Sequence, residues 1–145
     1  MRGVLGAVFA LFAAAVSGQE ATDYTTAENP YQAEYAYASG QPIVMRVDIQ
    51  RVLIDSMTIT APSTLPPDGK VECSVRVSGA NEAARKVTVT AVLLLEDAKS
   101  EALERLSLAP IRVKAGRALA AEQSLEVGAA ALAAAARVYV FVKID

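Results

Sequence analysis

Cys73 is the only side chain in this 145-residue sequence that could act as a soft nucleophile. The sequence contains no histidine, so it cannot build a Ser-His or Cys-His pair or a histidine metal site. A single cysteine also excludes an intrachain disulfide and a cysteine-cluster zinc site. We therefore expect Cys73 to be a buried structural residue, with pairing to a cysteine of another chain as the alternative.

Acidic residues are the other candidates for chemistry. Glu101 and Glu104, and likewise Glu122 and Glu126, are close in sequence. We interpret them as solvated side chains, with a calcium site as the alternative. There is also no phosphate-binding glycine loop and no serine-nucleophile elbow. The sequence thus predicts no enzyme and no cofactor.

Composition narrows the class of protein further. The formal net charge is −2, and acidic and basic residues are interspersed, so we expect no nucleic-acid partner. About half of the residues are apolar, which is enough for one domain with a real core.

The N-terminus predicts export. Arg2 precedes an uninterrupted run of small and apolar residues over 3–16, and small residues follow up to Gly18. This is typical of a signal peptide over 1–18 that is cleaved after Gly18. The run is short for a membrane span, although an uncleaved anchor is the alternative. We expect an extracellular, cell-surface or periplasmic protein.

Residues 19–42 change in composition. They are acidic, carry no Lys or Arg, and contain no aliphatic side chain larger than Ala. We predict a flexible tail here. The alternative is a segment that orders on a partner, with Tyr31, Tyr35 and Tyr37 as anchors, because Tyr is enriched in interface hot spots.

Two β-strands organise the remainder, the predicted domain 43–145. Val71, Cys73, Val75 and Val77 alternate with polar residues, and after a polar turn a second alternation runs over 87–95. Further strands are predicted in 43–60 with a bulge or break near Gln50-Arg51, in 106–113 with an interruption at Pro110, in 119–127 and in 137–144. Short helical turns are predicted after Asp97 and within 128–136. About seven strands in an antiparallel two-sheet sandwich are expected.

The segments 68–77, 87–93, 111–116 and 138–142 resemble strands and a turn of bacterial immunoglobulin-like domains, especially adhesion-type modules, over residues 60–145. The resemblance implies an immunoglobulin-like sandwich in which the strands at 87–95 and 138–144 are neighbours. Cys73 stands where disulfide-bearing members keep one cysteine, and Phe141 occupies the expected position of its partner. We expect no seventh strand after Ile144.

Apolar residues are in surplus on these two neighbouring strands. We predict that their outer face forms a shared patch for a partner, from the residues Val92, Leu94, Val138, Val140 and Val142. The last strand is also predicted to be an open edge that invites strand addition, unless residues 43–49 cover it.

The function expected from these features is that of an exported, non-enzymatic structural or interaction protein. It would be an accessory subunit, peripherally associated with a membrane complex, or a component of a self-assembling surface structure. The alternative is a module that binds glycans or calcium through exposed tyrosines or loop carboxylates.

Overall fold

The structure, a computed structural model, describes residues 23–145. The predicted signal peptide over 1–18 lies outside the described residues. Within them, strands dominate and one short helix is present, which confirms the all-β class. The elements are β1 (Thr25–Thr26), β2 (Tyr31–Ala36), β3 (Ile43–Ile49), β4 (Val52–Thr60), β5 (Lys70–Asn81), β6 (Val87–Glu96), β7 (Ala102–Ser107), β8 (Ile111–Val113), β9 (Ala118–Gly128), α1 (Ala129–Ala134) and β10 (Arg137–Ile144).

The strands form two sheets that pack face to face around one apolar core. Sheet A has the order β1-β3-β4-β5-β9, and sheet B has the order β2-β10-β6-β7, with β8 also paired to β6. The count of ten strands in the described residues exceeds the predicted seven. Residues 23–42 contribute two of these strands, and the six predicted strand regions give the other eight because two of them are each divided in two.

Both divisions fall where the sequence predicted an irregularity. Gln50 and Arg51 have φ values of 54° and 72° and form a two-residue turn between β3 and β4. The Asp48 carboxylate accepts a hydrogen bond from Arg51 N at 2.8 Å and holds this turn. Pro110 separates β7 from β8, which pair with successive parts of β6. Proline lacks the N–H that an unbroken strand would donate.

Residues 23–42 are not a flexible tail, in contrast to the prediction for 19–42. β2 pairs with β10 in an antiparallel register from Tyr31↔Val142 to Ala36↔Arg137, and β1 pairs in parallel with β3. The sandwich therefore begins before residue 43. The prediction counted aliphatic side chains, whereas the apolar rings of Tyr31 and Tyr35 pack against the core and supply the burial that holds β2 in place.

The edge beside β10 is consequently closed by β2. Neither an open final edge nor coverage by residues 43–49 is observed, because β3 lies in sheet A. Two predicted helical turns also have different outcomes. α1 crosses one end of the sandwich as expected, whereas Asp97 caps a tight turn between β6 and β7, accepting hydrogen bonds from Lys99 N and Glu101 N.

The core is built from the inward-facing residues of both sheets. Strands β5 and β6 alternate as predicted, and Cys73, Val75, Val77, Val89 and Leu93 are fully buried. Buried Asn81 ties the sheets together at one end, because its Nδ2 donates to Val113 O in β8 at 3.0 Å and to Arg85 O at 2.9 Å. An unmet amide would be costly here, so the polar residue fixes how β5 lies relative to β8.

Candidate functional site

The outer face of sheet B carries an apolar groove at its centre. Phe141 of β10 lies directly opposite Val92 of β6, and Tyr139 lies directly opposite Leu94. With Arg105 of β7 these side chains line a depression of about 340 Å³, which we call the sheet B groove. The four apolar side chains point away from the core and are only partly exposed, because neighbouring cross-strand side chains pack against one another.

Polar side chains border the sheet B groove on both sides. On the β2 side, Gln32 Oε1 accepts a hydrogen bond of 2.7 Å from the Tyr139 hydroxyl and thereby fixes the ring over the sheet. On the β7 side, Ser107 lies opposite Val92 and Arg105 lies opposite Leu94. An apolar centre with a polar rim is the usual composition of a protein-binding surface.

A cluster of charges lies at the end of the groove near Arg137. The Glu34 carboxylate accepts a hydrogen bond of 2.8 Å from Ser100 Oγ and is 3.7 Å from Arg137 Nη1. Glu96, only 6% exposed, lies beside Glu34, and its Oε1 has no hydrogen-bond partner among the described residues. The hydrogen bond between the two carboxyl groups raises the pKa of Glu96, with burial adding to the effect, and lowers the pKa of Glu34.

The structure separates the predicted patch residues into two groups. Val92 and Leu94 lie on the outer face of sheet B, as predicted. Val138, Val140 and Val142 are fully buried and face the core, so their assignment to the outer face was wrong. The last strand is apolar at consecutive positions, and period-two alternation cannot say which of its two sets faces inward. Tyr139 and Phe141, which the prediction omitted, occupy the outer face instead. The sequence did contain a signal for this: Tyr139 and Phe141 alternate in step with the charged residues Arg137 and Lys143, which must face solvent.

The predicted tyrosine anchors lie along the seam between the two sheets. Tyr31, Tyr35 and Tyr37 are partly buried and pack against the core. The hydroxyl groups of Tyr31 and Tyr35 hydrogen-bond to each other, and burial is the main cause of the raised pKa of Tyr35 and of Tyr37. These residues close the side of the sandwich and do not join the sheet B groove.

A second concavity lies at the end of the sandwich that α1 crosses. This end cleft offers about 540 Å³ between the 37–40 turn, the 60–65 loop and the end of α1. Tyr37, Leu65 and Leu132 supply much of its apolar wall, and Ser39 Oγ accepts a hydrogen bond from Ala61 N at 2.8 Å. Its size is that of small-molecule sites in general.

The cysteine and two of the glutamates that the sequence offered as candidates for chemistry are buried or bonded within the fold. Cys73 is buried on the inner face of sheet A, and burial raises the pKa of its thiol. Phe141 lies on the outer face of sheet B, so it does not occupy the position facing Cys73 that the resemblance implied. Glu104 Oε1 accepts from Gly128 N at 2.9 Å, and Glu122 binds Ser74 and Arg76. Among residues 23–145 there is no group of three or more acidic or cysteine side chains placed to hold a metal ion.

Comparison with known proteins adds no relative to this picture. No protein-family model matches the chain, and the search of curated proteins returned no match. In the part of the chain that the structure describes, no helix is long and apolar enough to cross a membrane. The geometry of the sheet B groove is therefore the main evidence on function.

Proposed function

We propose that this chain is an exported, non-catalytic binding protein that contacts a protein partner through the sheet B groove. The observation that carries the proposal is the pair of directly opposed cross-strand contacts, Phe141 with Val92 and Tyr139 with Leu94, on a face that the core does not use. Contiguous exposed apolar surface with a polar rim is typical of protein contact surfaces.

Export supports the same reading. The apolar run behind Arg2 is the basis of that part of the proposal, and an accessory subunit docked on a membrane complex or a surface assembly would both use such a face. Sheet B presents it on its two central strands, β10 and β6, where the backbone is paired on both sides. Side chains rather than free backbone groups would therefore make the contact.

We also propose that the sandwich is a variant of the immunoglobulin-like architecture. The neighbours β6 and β10 in one sheet, and β5 and β9 in the other, correspond to the pairings of the second, third, fifth and sixth strands in such domains. The N-terminal strand β2 takes the place beside the last strand that a seventh strand would occupy.

The test compares two matched substitutions on the two outer faces. Val92→Asp places a charge in the sheet B groove, whereas Thr58→Asp places the same charge on the outer face of a central strand of sheet A. Each variant and the parent chain would serve as bait in the native envelope or culture fluid, with quantitative mass spectrometry of the bound proteins. We expect a partner that the parent chain and Thr58→Asp retain and that Val92→Asp loses.

Fold integrity is the control for this comparison. Circular dichroism and thermal melts of all three proteins must show a cooperative transition, so that lost binding is not lost structure. Equal partner sets for Val92→Asp and the parent chain would overturn the proposal.

The end cleft supports a second candidate function, the binding of a small ligand such as a glycan. Its volume and the aromatic wall at Tyr37 are the observations in favour. Ala135→Trp would fill the cleft from the end of α1. Binding on a glycan array that this variant abolishes would support the candidate, and no binding by the parent chain would dismiss it.

A further inference from the structure

Four residues form one straight row across the outer face of sheet B. Glu34 is in register with Tyr139, Tyr139 with Leu94, and Leu94 with Arg105. The row therefore begins with a negative charge on β2, crosses two apolar side chains, and ends with a positive charge on β7. Arg105 is exposed and makes no ion pair with any described residue, so its charge is available to a partner.

The next row has the same symmetry without the charges. Gln32 is in register with Phe141, Phe141 with Val92, and Val92 with Ser107. Each row is thus polar at its two ends and apolar at its centre, and its midline falls between β10 and β6. If the two sides of that midline are interchanged, apolar positions fall on apolar positions and polar positions on polar positions. Glu34 and Arg105 change places.

We propose, as a deepening of the proposed function on which it rests, that the partner at the sheet B groove is a second copy of this chain. We place a twofold axis in the plane of contact, parallel to the strands and above the midline between β10 and β6. This axis would place Tyr139 of each copy over Leu94 of the other. The same axis would place Phe141 over Val92 and Glu34 over Arg105, twice in each dimer. A face whose charges are opposite at equal distances from the axis is complementary to itself.

Electrostatics supports a second copy over an unrelated protein. An isologous contact is favoured when charges on the rim meet their opposites after the rotation, and the row that ends in Glu34 and Arg105 fulfils this condition. At the end of the groove Arg137 of β10 lies opposite Glu96 of β6, on the two sides of the same midline, but this pair does not contribute to the contact. Glu96 is too buried for direct contact, so the reciprocal Glu34 and Arg105 contacts would set the orientation.

The size of the face predicts a weak and reversible dimer. Four strands about 4.8 Å apart, over about 20 Å of strand length, cover on the order of 300 Å² in each copy. Stable complexes bury roughly 800 Å² for each partner. Twisted sheets packed face to face at about 10 Å would still bring both apolar rows together.

Charge exchange tests the proposal, because it distinguishes this contact from any other. The purified full chain, Arg105→Glu, Glu34→Arg and an equimolar mixture of the two variants would be studied by sedimentation velocity from about 1 µM to about 1 mM, the range of weak dissociation constants. In Arg105→Glu two negative charges face each other, and in Glu34→Arg two positive charges do. We expect each variant alone to dimerise at least about tenfold more weakly than the parent chain. The mixture recovers the parent affinity, since both of its charge contacts are attractive.

Glu34 also contacts Ser100 and Arg137, so Glu34→Arg can disturb the fold. The pair Arg105→Glu and Arg105→Lys provides a second readout, because Arg105 has no such contacts to lose. We expect the lysine variant to dimerise like the parent chain and the glutamate variant to lose dimerisation.

Two results would overturn the proposal: a parent chain that stays monomeric over the whole range, or a mixture that binds no more tightly than either variant alone. Neither result would contradict the proposed function, the binding of a protein partner through the sheet B groove. That function fails separately, if Val92→Asp and Thr58→Asp retain the same bound proteins.

Discussion

The two outer faces of this sandwich are built by the same alternation and yet differ in chemistry. On sheet A the outward residues of β5 and β9 around Ser74, Arg76 and Glu122 are polar, and Ser74 Oγ donates to Glu122 at 2.6 Å while Arg76 Nη2 lies 3.4 Å from the same carboxylate. On sheet B the outward residues at the same depth are Val92, Leu94, Tyr139 and Phe141. The core requires only the inward half of each strand, so the outward half is free to be solvated on one sheet and apolar on the other.

The difference has an energetic meaning. An exposed ion pair such as Arg76 with Glu122 adds little to stability, because water already solvates both charges well. Apolar side chains in the sheet B groove gain nothing from water, and each Å² removed from it on contact is worth roughly 25 cal/mol. The polar outer face of sheet A is therefore well solvated, whereas the outer face of sheet B has free energy to gain from a partner.

The strongest test of this comparison sets the two faces of one sheet against each other. Val140→Asp buries a charge at a fully enclosed position, and we expect it to cost about 4 kcal/mol or more and to abolish the folded state. Val92→Asp, one strand away on the outer face, should cost about 1 kcal/mol. Circular dichroism would show whether Val140→Asp folds, and thermal and urea unfolding would measure the cost of each variant that does. Equal destabilisation by the two substitutions would place Val92 in the core and remove the groove.

A substitution in sheet A can lower the stability of the protein without changing the outer face of either sheet. Gly79 of β5 lies at the irregular pairing with β4, where an added Cβ would overlap the backbone carbonyl of Leu53. We expect Gly79→Ala to destabilise the protein by about 2–4 kcal/mol, since backbone atoms must shift to admit the methyl group. Ser78→Ala, the adjacent outward position, is the control and should cost under about 1 kcal/mol. Urea unfolding that shows the same midpoint for both variants would refute the close approach.

A smaller effect is expected in the pH dependence of stability, through Glu96 at the end of the sheet B groove. The hydrogen bond to Glu34, burial and the Glu34 charge raise the pKa of Glu96, with Arg137 opposing them and Asp97 adding to them. A raised pKa means that the stabilising contribution of Glu96 is complete at low pH and is lost as the pH rises through its folded-state value. We expect Glu96→Gln to be at least as stable as the parent chain at pH 7, and the two melting temperatures to converge near pH 4.

Glu34 moves in the opposite direction and must be followed in the same titration. Its pKa is lowered, so its own contribution is present at neutral pH and lost as the pH falls. Glu34→Gln in the same pH series separates the two carboxyl groups. A Glu96→Gln protein that is less stable than the parent chain at pH 7 would contradict the raised pKa of Glu96.

The smallest effect is expected on sheet A. Hydrogen bonding from Ser74 and the charge of Arg76 lower the pKa of Glu122, which is exposed. Its contribution would be lost only as the pH falls through that lowered value. We expect Glu122→Gln to leave both the melting temperature and self-association at neutral pH unchanged within experimental error. A shift in either measurement would show that the polar face does more than solvate the molecule.

Much of the fold could be predicted from the sequence, because apolar and polar residues alternate clearly over most of β5 and over the first half of β6. The division at Gln50-Arg51 and the interruption at Pro110 were also predicted. The first follows from a shift in which alternate positions are apolar, and the second from the proline itself. The strand β2 could not be, because Tyr31 and Tyr35 alternate with polar residues over only six positions in an acidic segment without aliphatic side chains. The resulting error in the domain boundary follows from treating tyrosine as a surface residue.

The site was predicted in part. Val92 and Leu94 were identified because they are apolar residues at the polar positions of a clear alternation. The valines of β10 were assigned to the wrong face, since a strand with apolar residues at consecutive positions has no unique parity. Glu34 and Arg105 lie 71 positions apart, and only the register of four strands shows that they end the same row.

Concentration-dependent NMR of the labelled chain tests the central claim most directly, that the two outer faces differ because the sheet B groove binds a second copy of this chain. Amide shifts would be followed while unlabelled chain is added. We predict shifts at Val92, Leu94, Arg105, Tyr139 and Phe141, with the amides of Thr58, Ser74 and Glu122 unchanged. Shifts on the outer face of sheet A, or no shifts at any concentration, would contradict the account.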